Sequence, residues 1–386
     1  MKVLLVHNQY QQPGGEDEVF QAEATLLEAY GHEVLRYSAH NDQVANLNVV
    51  RLAGATIWNR LSYHELRTLM REERPQVAHF HNTFPLISPA GYYAAKVEGV
   101  PVVQTLHNYR LLCPNALFFR DGHVCEDCRP KLVPWPGVLH ACYRRSRPAS
   151  GAVAAMITAH RLLRTWAETV DVYVALTDFA RKKFIQGGLP AEKIMVKPNF
   201  LHPDPGQGQG QGNYALFVGR LSVEKGLDSL LGAWKRLEGR MPLKVVGDGP
   251  LAGKVAGAAR ELGGVEWLGR RSKEQVLSLM SNARLLILPS VCYENFPLSI
   301  VEAFGLGLPV IASDLGSVAS LVDHGRTGLR FRPGDAADLA AKVEWTWDHP
   351  AQFADMRSEV RGEFEMKYTA EQNHEQLMSI YDSATQ

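Results

Sequence analysis

Two α/β domains, each a parallel sheet wound on both faces by helices, are the fold this sequence predicts. Three observations carry it. Short apolar runs suited to buried strands recur between stretches of helical spacing along the 386 residues. A chain of that length exceeds one ordinary core and suits two. The alternation breaks once, at 197–213, where KPNFLHPDPGQGQGQGN passes from proline into a Gly/Gln repeat with nothing apolar to bury. This reads as an interdomain linker or an exposed loop beside it.

The elements follow in order. VLLV (3–6) reads as the first strand, and Gly14 and Gly15 turn the chain into a helix over 18–30. Lacking Cβ, these glycines let the loop approach a phosphate or sugar closely, or they form a plain strand-to-helix turn. HEVLRYS (32–38), VAHFH (77–81), VPVVQTLH (100–107) and VDVYVAL (170–176) supply further strands. The second alternation begins at ALFVGR (215–220) and continues through LKVVG (243–247), VEWLG (265–269), LLILP (285–289) and PVIAS (309–313). Strands separated by helices imply parallel sheets covered on both faces. The 41 basic and 41 acidic residues cancel, so net charge gives a nucleic-acid-binding role no support. The start MKVLLVHNQY turns polar at His7, and no 18-residue uncharged apolar run occurs. The expectation is a cytoplasmic protein without signal peptide or membrane span.

The stretch 285–313, LLILPSVCYENFPLSIVEAFGLGLPVIAS, is the most informative about chemistry. A strand over 285–288 passes through a polar loop into a helix over 298–304 and a second strand over 309–312. Glu294 falls in the loop and Glu302, eight residues on, in the helix. The free N–H groups near residues 295–299 favour phosphate. Carboxylates for sugar hydroxyls beside a dipole for a diphosphate suit a nucleotide-sugar. The departing phosphates need either a divalent metal or fixed cations. No Asp-x-Asp pair occurs, whereas Arg220 ends a strand and Lys225 opens the next helix. The plainer reading of these charges is solvated residues at helix starts.

This stretch resembles the E-x7-E motif of retaining glycosyltransferase family 4, and YALFVGRLSVEKGLDSLL is similar to that family's strand–GR–x4–K–helix element. The loop QQPGGEDE (11–18), LHN (106–108), GDGP (247–250) and DHGRTGLRF (323–331) extend the resemblance over most of the chain. It implies the GT-B fold, two Rossmann-like domains facing across a cleft. Residues 1–200 would form the acceptor-side domain, with a cysteine-rich insertion at 109–147, and 201–365 the donor domain. The helix at 366–386 would return to the first domain. FADMRSEVRGEF and TAEQNHEQLMSIYDS are the segments available for that return.

The resemblance also implies roles. Arg220 and Lys225 would hold the diphosphate, with no metal or other cofactor for catalysis. Glu302 would bind the ribose, and Glu294 the hydroxyls of a hexose-type sugar. The backbone at Asn295, Phe296, Pro297 and Leu298 would touch sugar or phosphate, and Gly14 and Gly15 would cap the donor. Gly269 and Arg270 would lie beside the base, and His107 would touch the transferred sugar. Transfer would retain the anomeric configuration onto a glycan or lipid-linked acceptor, in surface polysaccharide or glycoconjugate synthesis. Glu294 is then not a nucleophile of the retaining-glycosidase kind. A GT-B nucleotide-sugar epimerase and a catalytically silent nucleotide-sugar-binding protein are the rival readings. His79 and His81 alternate at a strand end, but two ligands make a weak metal site; His81 reads better as lining the cleft, with Asn82 nearby.

Cys113, Cys125, Cys128 and Cys142 fall within 30 residues and have the content of a structural four-cysteine zinc site. Free or redox-active thiols are the alternative, with disulfides disfavoured in a reducing compartment. Cys292 reads as a small packing residue. From residue 129 to 164 there are seven cations and no acid, so an amphipathic basic helix is expected around 150–166. Such a helix suits docking on an anionic membrane, at the inner face of the cell membrane, or else a solvated face or subunit contact.

Overall fold

The computed structural model describes residues 1–386 except Pro13, which lies in the expected glycine loop. Contacts divide the chain into two units. Unit 1 comprises Met1–Phe118, Cys125–Pro198 and Glu371–Gln386; unit 2 comprises Phe119–Val124 and Asn199–Ala370. The divisions fall a few residues from 200 and 365, and helix Pro350–Lys367, one of the two segments available for the return, stays with unit 2. Helix Ala370–Thr385 packs in unit 1, where Leu377, Ile380 and Tyr381 join a core with Val3, Leu5 and Phe20.

Unit 1 holds strands β1 (Lys2–Gln9), β2 (Glu33–His40), β3 (Val77–Asn82) and β4 (Val102–Leu106). A two-stranded hairpin, β5 (Phe119–Arg120) and β6 (His123–Val124), is counted by contact with unit 2. β7 (Val172–Ala175) and β8 (Ile194–Val196) complete the sheet, whose order is β2-β1-β3-β4-β7-β8 with every pairing parallel. β3, β4 and β7 are buried at every residue, as strands with helices on both faces must be. The first helix begins at Gly15 rather than 18, because the Asp17 carboxylate accepts from the Gly14 N–H at 2.8 Å and closes the first turn.

Unit 2 holds β9 (Ala215–Val218), β10 (Leu243–Val246), β11 (Val265–Gly269), β12 (Leu285–Leu288), β13 (Val310–Ser313) and β14 (Gly328–Phe331). Their order is β11-β10-β9-β12-β13-β14, all parallel, so the strand order reverses between β9 and β12. In open sheets of this winding, ligands bind outside the carboxyl ends of the strands at that reversal. β8 and β14 had no place among the strands read from the sequence. Both are edge strands of three or four residues, too short for a periodic signal.

The Gly/Gln repeat is not a loose linker. Gly208 donates its N–H to Leu306 O, Gly210 to Ser281 O and Gly212 to Asn282 O, at 2.7–2.9 Å. A Cβ on Gly212 would lie 2.2 Å from Asn282 O, whereas Gln207, Gln209 and Gln211 are exposed. The repeat is a strap laid on unit 2: Gly208, Gly210 and Gly212 bond to it through their amides, and the glutamines between them face water. No helix among the described residues is long and apolar enough to cross a membrane.

Candidate active site

The β9 and β12 ends bring the charges together. Arg220 leaves β9 as an exposed side chain, and the turn Val223–Lys225 follows. The Lys225 ammonium donates to Glu294 Oε1 at 2.6 Å, and Ser290 Oγ donates to the same oxygen at 2.7 Å. This arrangement depends on Gly226, whose φ is +70° and whose Cβ, if present, would lie 1.8 Å from Pro289 O. Val291 N–H donates to Glu224 O at 2.9 Å, tying the two loops by backbone. The GDGP turn closes from the other side: a Cβ on Gly247 would sit 1.9 Å from Gly219 O, and Leu221 N–H donates to Asp248 O at 2.9 Å. Burial works against the charge on both partners of the ion pair, and each outweighs it for the other. The Glu294 carboxyl is held below its ordinary range and the Lys225 ammonium above its own.

Glu302 is buried on helix Leu298–Gly305, 8% exposed, with Lys273 Nζ 3.9 Å from Oε1. Pro297 at the helix start offers no side-chain cap, so the first N–H groups keep their capacity for an anion. Asn295 and Phe296 are buried and Pro297 and Leu298 half-buried in the same loop. Gly269, at φ +68°, ends β11 and Arg270 is exposed beyond it. Thus Lys225, Glu294 and Ser290 meet directly, Glu302 lies one helix turn beyond the loop, and Arg220 projects to solvent. Ser290 was not legible as a partner from the sequence.

Unit 1 gathers a second polar cluster at the carboxyl ends of β1, β3 and β4. Gly14 is half-buried and Gly15 exposed in the loop after β1. His107, just past β4, is 9% exposed and its Nε2 lies 3.0 Å from His81 Nδ1. His81, His107, Asn82, Asn108 and Arg110 line one small cavity. Behind them Glu23 is wholly buried, its Oε1 accepting from Lys197 Nζ at 2.6 Å and its Oε2 3.3 Å from His81 Nε2. Asn82 is not directed at a ligand: Nδ2 donates to Asn8 O at 2.9 Å, and Oδ1 accepts from Phe84 N–H at 3.0 Å. Glu23 and Lys197, one in a helix and one in the apparent linker, carry no sequence signal of pairing. Glu23, His79 and His81 bring ligand atoms within 4.8 Å of one another, but Lys197 already supplies the cation there.

Comparison with known proteins decides the class to which this geometry belongs. A model described as "Glycosyltransferase Family 4" matches residues 13–204, and one described as "Glycosyl transferases group 1" matches 212–349. Each unit carries a glycosyltransferase domain. D-rhamnosyltransferase WbpZ of Pseudomonas aeruginosa is 32% identical over 161 residues, 41% of this chain and 42% of that relative. The match thus spans under half the length of that relative. Alpha-D-kanosaminyltransferase of Streptomyces kanamyceticus is 26% identical over 298 residues, 75% of this chain and 72% of the relative. Among solved structures, Anabaena Alr3699/HepE in complex with UDP superposes with a TM-score of 0.70 at 19% identity, covering 99% of this chain and 100% of that one. The fold is therefore GT-B, as the sequence predicts.

Two further segments stand out in the sequence, the cysteines and the basic stretch. Cys113, Cys125, Cys128, Cys142 and Cys292 carry free thiols. Burial pushes the Cys128 thiol up to about 12, with Cys113, Cys142 and Cys125 adding to the shift as neighbouring thiols. The four cysteines form no metal-like group of three ligand atoms within 4.8 Å among the described residues. Cys292 is buried, as a packing residue would be. The basic segment forms helix Arg147–Leu162, but Val153, Met156 and Ile157 on it are buried in unit 1. Its apolar face is therefore spent on packing. The exposed apolar residues are Leu132, Val133, Trp135, Leu139, Leu162 and Leu163, at the flanks of that helix.

Proposed function

We propose that the chain transfers a hexose-type sugar from a nucleoside diphosphate to a hydroxyl of a glycan or lipid-linked acceptor, with retention, in surface polysaccharide or glycoconjugate synthesis. The observation that carries this is the junction at the β9/β12 reversal, where Lys225, Glu294 and Ser290 interlock beside Arg220 and an uncapped helix start. A nucleoside diphosphate satisfies each part. Its phosphates take Arg220, Lys225 and the free N–H groups, Glu302 takes ribose hydroxyls, and Glu294 takes sugar hydroxyls. Gly269 and Arg270 lie toward the base. HepE has been crystallised with UDP-glucose, which supports a donor of this class.

In the reaction, the bond from sugar C1 to the diphosphate oxygen breaks and one from C1 to the acceptor oxygen forms on the same face. The acceptor proton passes to the departing diphosphate. Fixed positive charge at the leaving oxygens lowers the barrier without a metal, and Glu294 orients the sugar; the sugar contact read for His107 rests on the family resemblance. A panel of UDP- and GDP-sugars assayed for transfer in excess chelator tests this. Transfer that persists is the expected result; complete, magnesium-reversible loss refutes the metal-free site.

Membrane docking is the finer reading for the acceptor. Leu162, 64% exposed, and Trp135, 52% exposed, stand in a stretch with exposed Arg144, Arg145, Arg147 and Arg164. Apolar residues that insert and cations that meet phosphate headgroups suit an anionic membrane. Binding to anionic but not zwitterionic vesicles at low salt is expected; no binding to either points to a soluble acceptor. The cysteine segment is read as a structural zinc site from its four-cysteine content; among the described residues no three of the thiols stand within 4.8 Å of one another, so binding zinc would draw them together as it replaces their protons.

A further inference from the structure

The histidines of unit 1 form a connected series whose proton positions follow from its buried end. Glu23 is wholly buried, with Lys197 on Oε1. Burial would push its carboxyl up, but the Lys197 ammonium outweighs this and holds it well below its ordinary range. An ionised carboxylate only accepts. Its Oε2 lies 3.3 Å from His81 Nε2; both atoms are sealed from water, and neither makes an aligned hydrogen bond, so the contact is a close approach of the ring nitrogen to the anion. A lone pair on that nitrogen would face an anion at contact distance in a dry site, so Nε2 carries the proton. Desolvation keeps His81 neutral, so its Nδ1 is bare. His107 Nε2, 3.0 Å away, must then be the donor. His107 is also kept neutral, chiefly by burial, which leaves Nδ1 as its one lone-pair nitrogen.

We propose that Glu23, held by Lys197, and His81 are positioning residues that lock His107 in its Nε2–H form and leave Nδ1 to accept a hydrogen bond from a hydroxyl of the bound sugar. The lock rests on the reading of His107 as a sugar contact, and it adds a direction to that contact. The opposite tautomer would present a donor and meet a hydroxyl only through that hydroxyl's oxygen. His79 stays outside this series, because Tyr381 Oη at 2.9 Å and Thr105 Oγ1 at 2.7 Å occupy its two nitrogens.

The test uses the full chain labelled with 15N-histidine, with ring protonation read by long-range proton–nitrogen correlation above pH 7. The His107→Gln spectrum assigns the signals. His107 in the Nε2–H form is expected; an Nδ1–H form or a charged ring overturns the lock. That measurement needs no substrate, so it stands or falls separately from sugar transfer. The second arm is the charge-balanced variant Glu23→Gln/Lys197→Met, with fold checked by circular dichroism and His81→Gln as substitute if it fails to fold. A mixture of His107 tautomers and a kcat about 10–100-fold lower, with donor KM within about threefold, are expected. An unchanged kcat despite mixed tautomers, or a single Nε2–H form in the variant, overturns the proposal.

Discussion

The two glutamates of the donor unit respond oppositely to substitution, and the structure sets the size of the contrast. Glu302 is nearly buried, so replacing it by Gln removes charged acceptors for the ribose hydroxyls from a dry position. Hydrogen bonds to a charged group contribute about 1.5–3 kcal/mol. At about 1.4 kcal/mol per decade, nucleoside diphosphate should bind about 10–150-fold more weakly. Glu294 differs because its partner in the free protein is Lys225, at 2.6 Å, with side-chain exposures of 14% and 25%. Glu294→Gln breaks that ion pair and leaves the Lys225 charge with no competitor for the phosphates. Exposed pairs contribute about 1 kcal/mol or less and this one is only partly covered, so nucleotide affinity should stay level or rise by up to about fivefold. Transfer should nevertheless fall by about 10²–10³-fold, because the reacting sugar loses its orientation. Calorimetry with UDP and GDP, and a product assay on the same preparations, read both quantities. Equal losses of nucleotide affinity in the two variants, or full transfer by Glu294→Gln, would refute the assignment of roles.

Gly226→Ala should destabilise by more than about 2 kcal/mol, because φ is +70° and the new methyl carbon meets Pro289 O at 1.8 Å; an unchanged urea midpoint would show that the β9 and β12 loops do not meet as described. His32, His79, His81, His107 and His374 all have their ring protonation lowered, by burial first. The unfolded chain therefore takes up protons before the folded one, so their contribution is complete above about pH 6.5 and declines as the pH falls below it. Calorimetric Tm should drop between pH 7.5 and 5.5, and a level or rising Tm would contradict the neutral cluster. Metal analysis of the purified chain should find about one zinc, with Cys125→Ser less stable; under about half an equivalent with a well-folded variant would end the zinc reading.

Elements whose signal is local are legible in the sequence. The strands around 215–218, 285–288 and 310–313 and the helix after Glu294 are set by runs of apolar side chains that must be buried on both faces, and such runs survive in one dimension. The positions of Glu294, Glu302, Arg220 and Lys225 along those elements follow from the same runs. Pairing does not. The 2.6 Å bond between Lys225 and Glu294 joins residues 69 apart, and the Glu23–Lys197 pair joins residues 174 apart. Neither has a periodic or compositional mark, because a contact between two loops depends on the strand order that lies between them. The Gly/Gln strap shows the same limit. Its composition reads as flexible chain, yet the amides of Gly208, Gly210 and Gly212 each find a carbonyl on unit 2, and at Gly208 and Gly212 the missing Cβ is what permits the approach. Composition determined which backbone could come close; only the folded sheet determined what it came close to. The basic helix shows a related limit: apolar spacing fixes that one face is buried, and only tertiary packing shows that protein covers Val153, Met156 and Ile157.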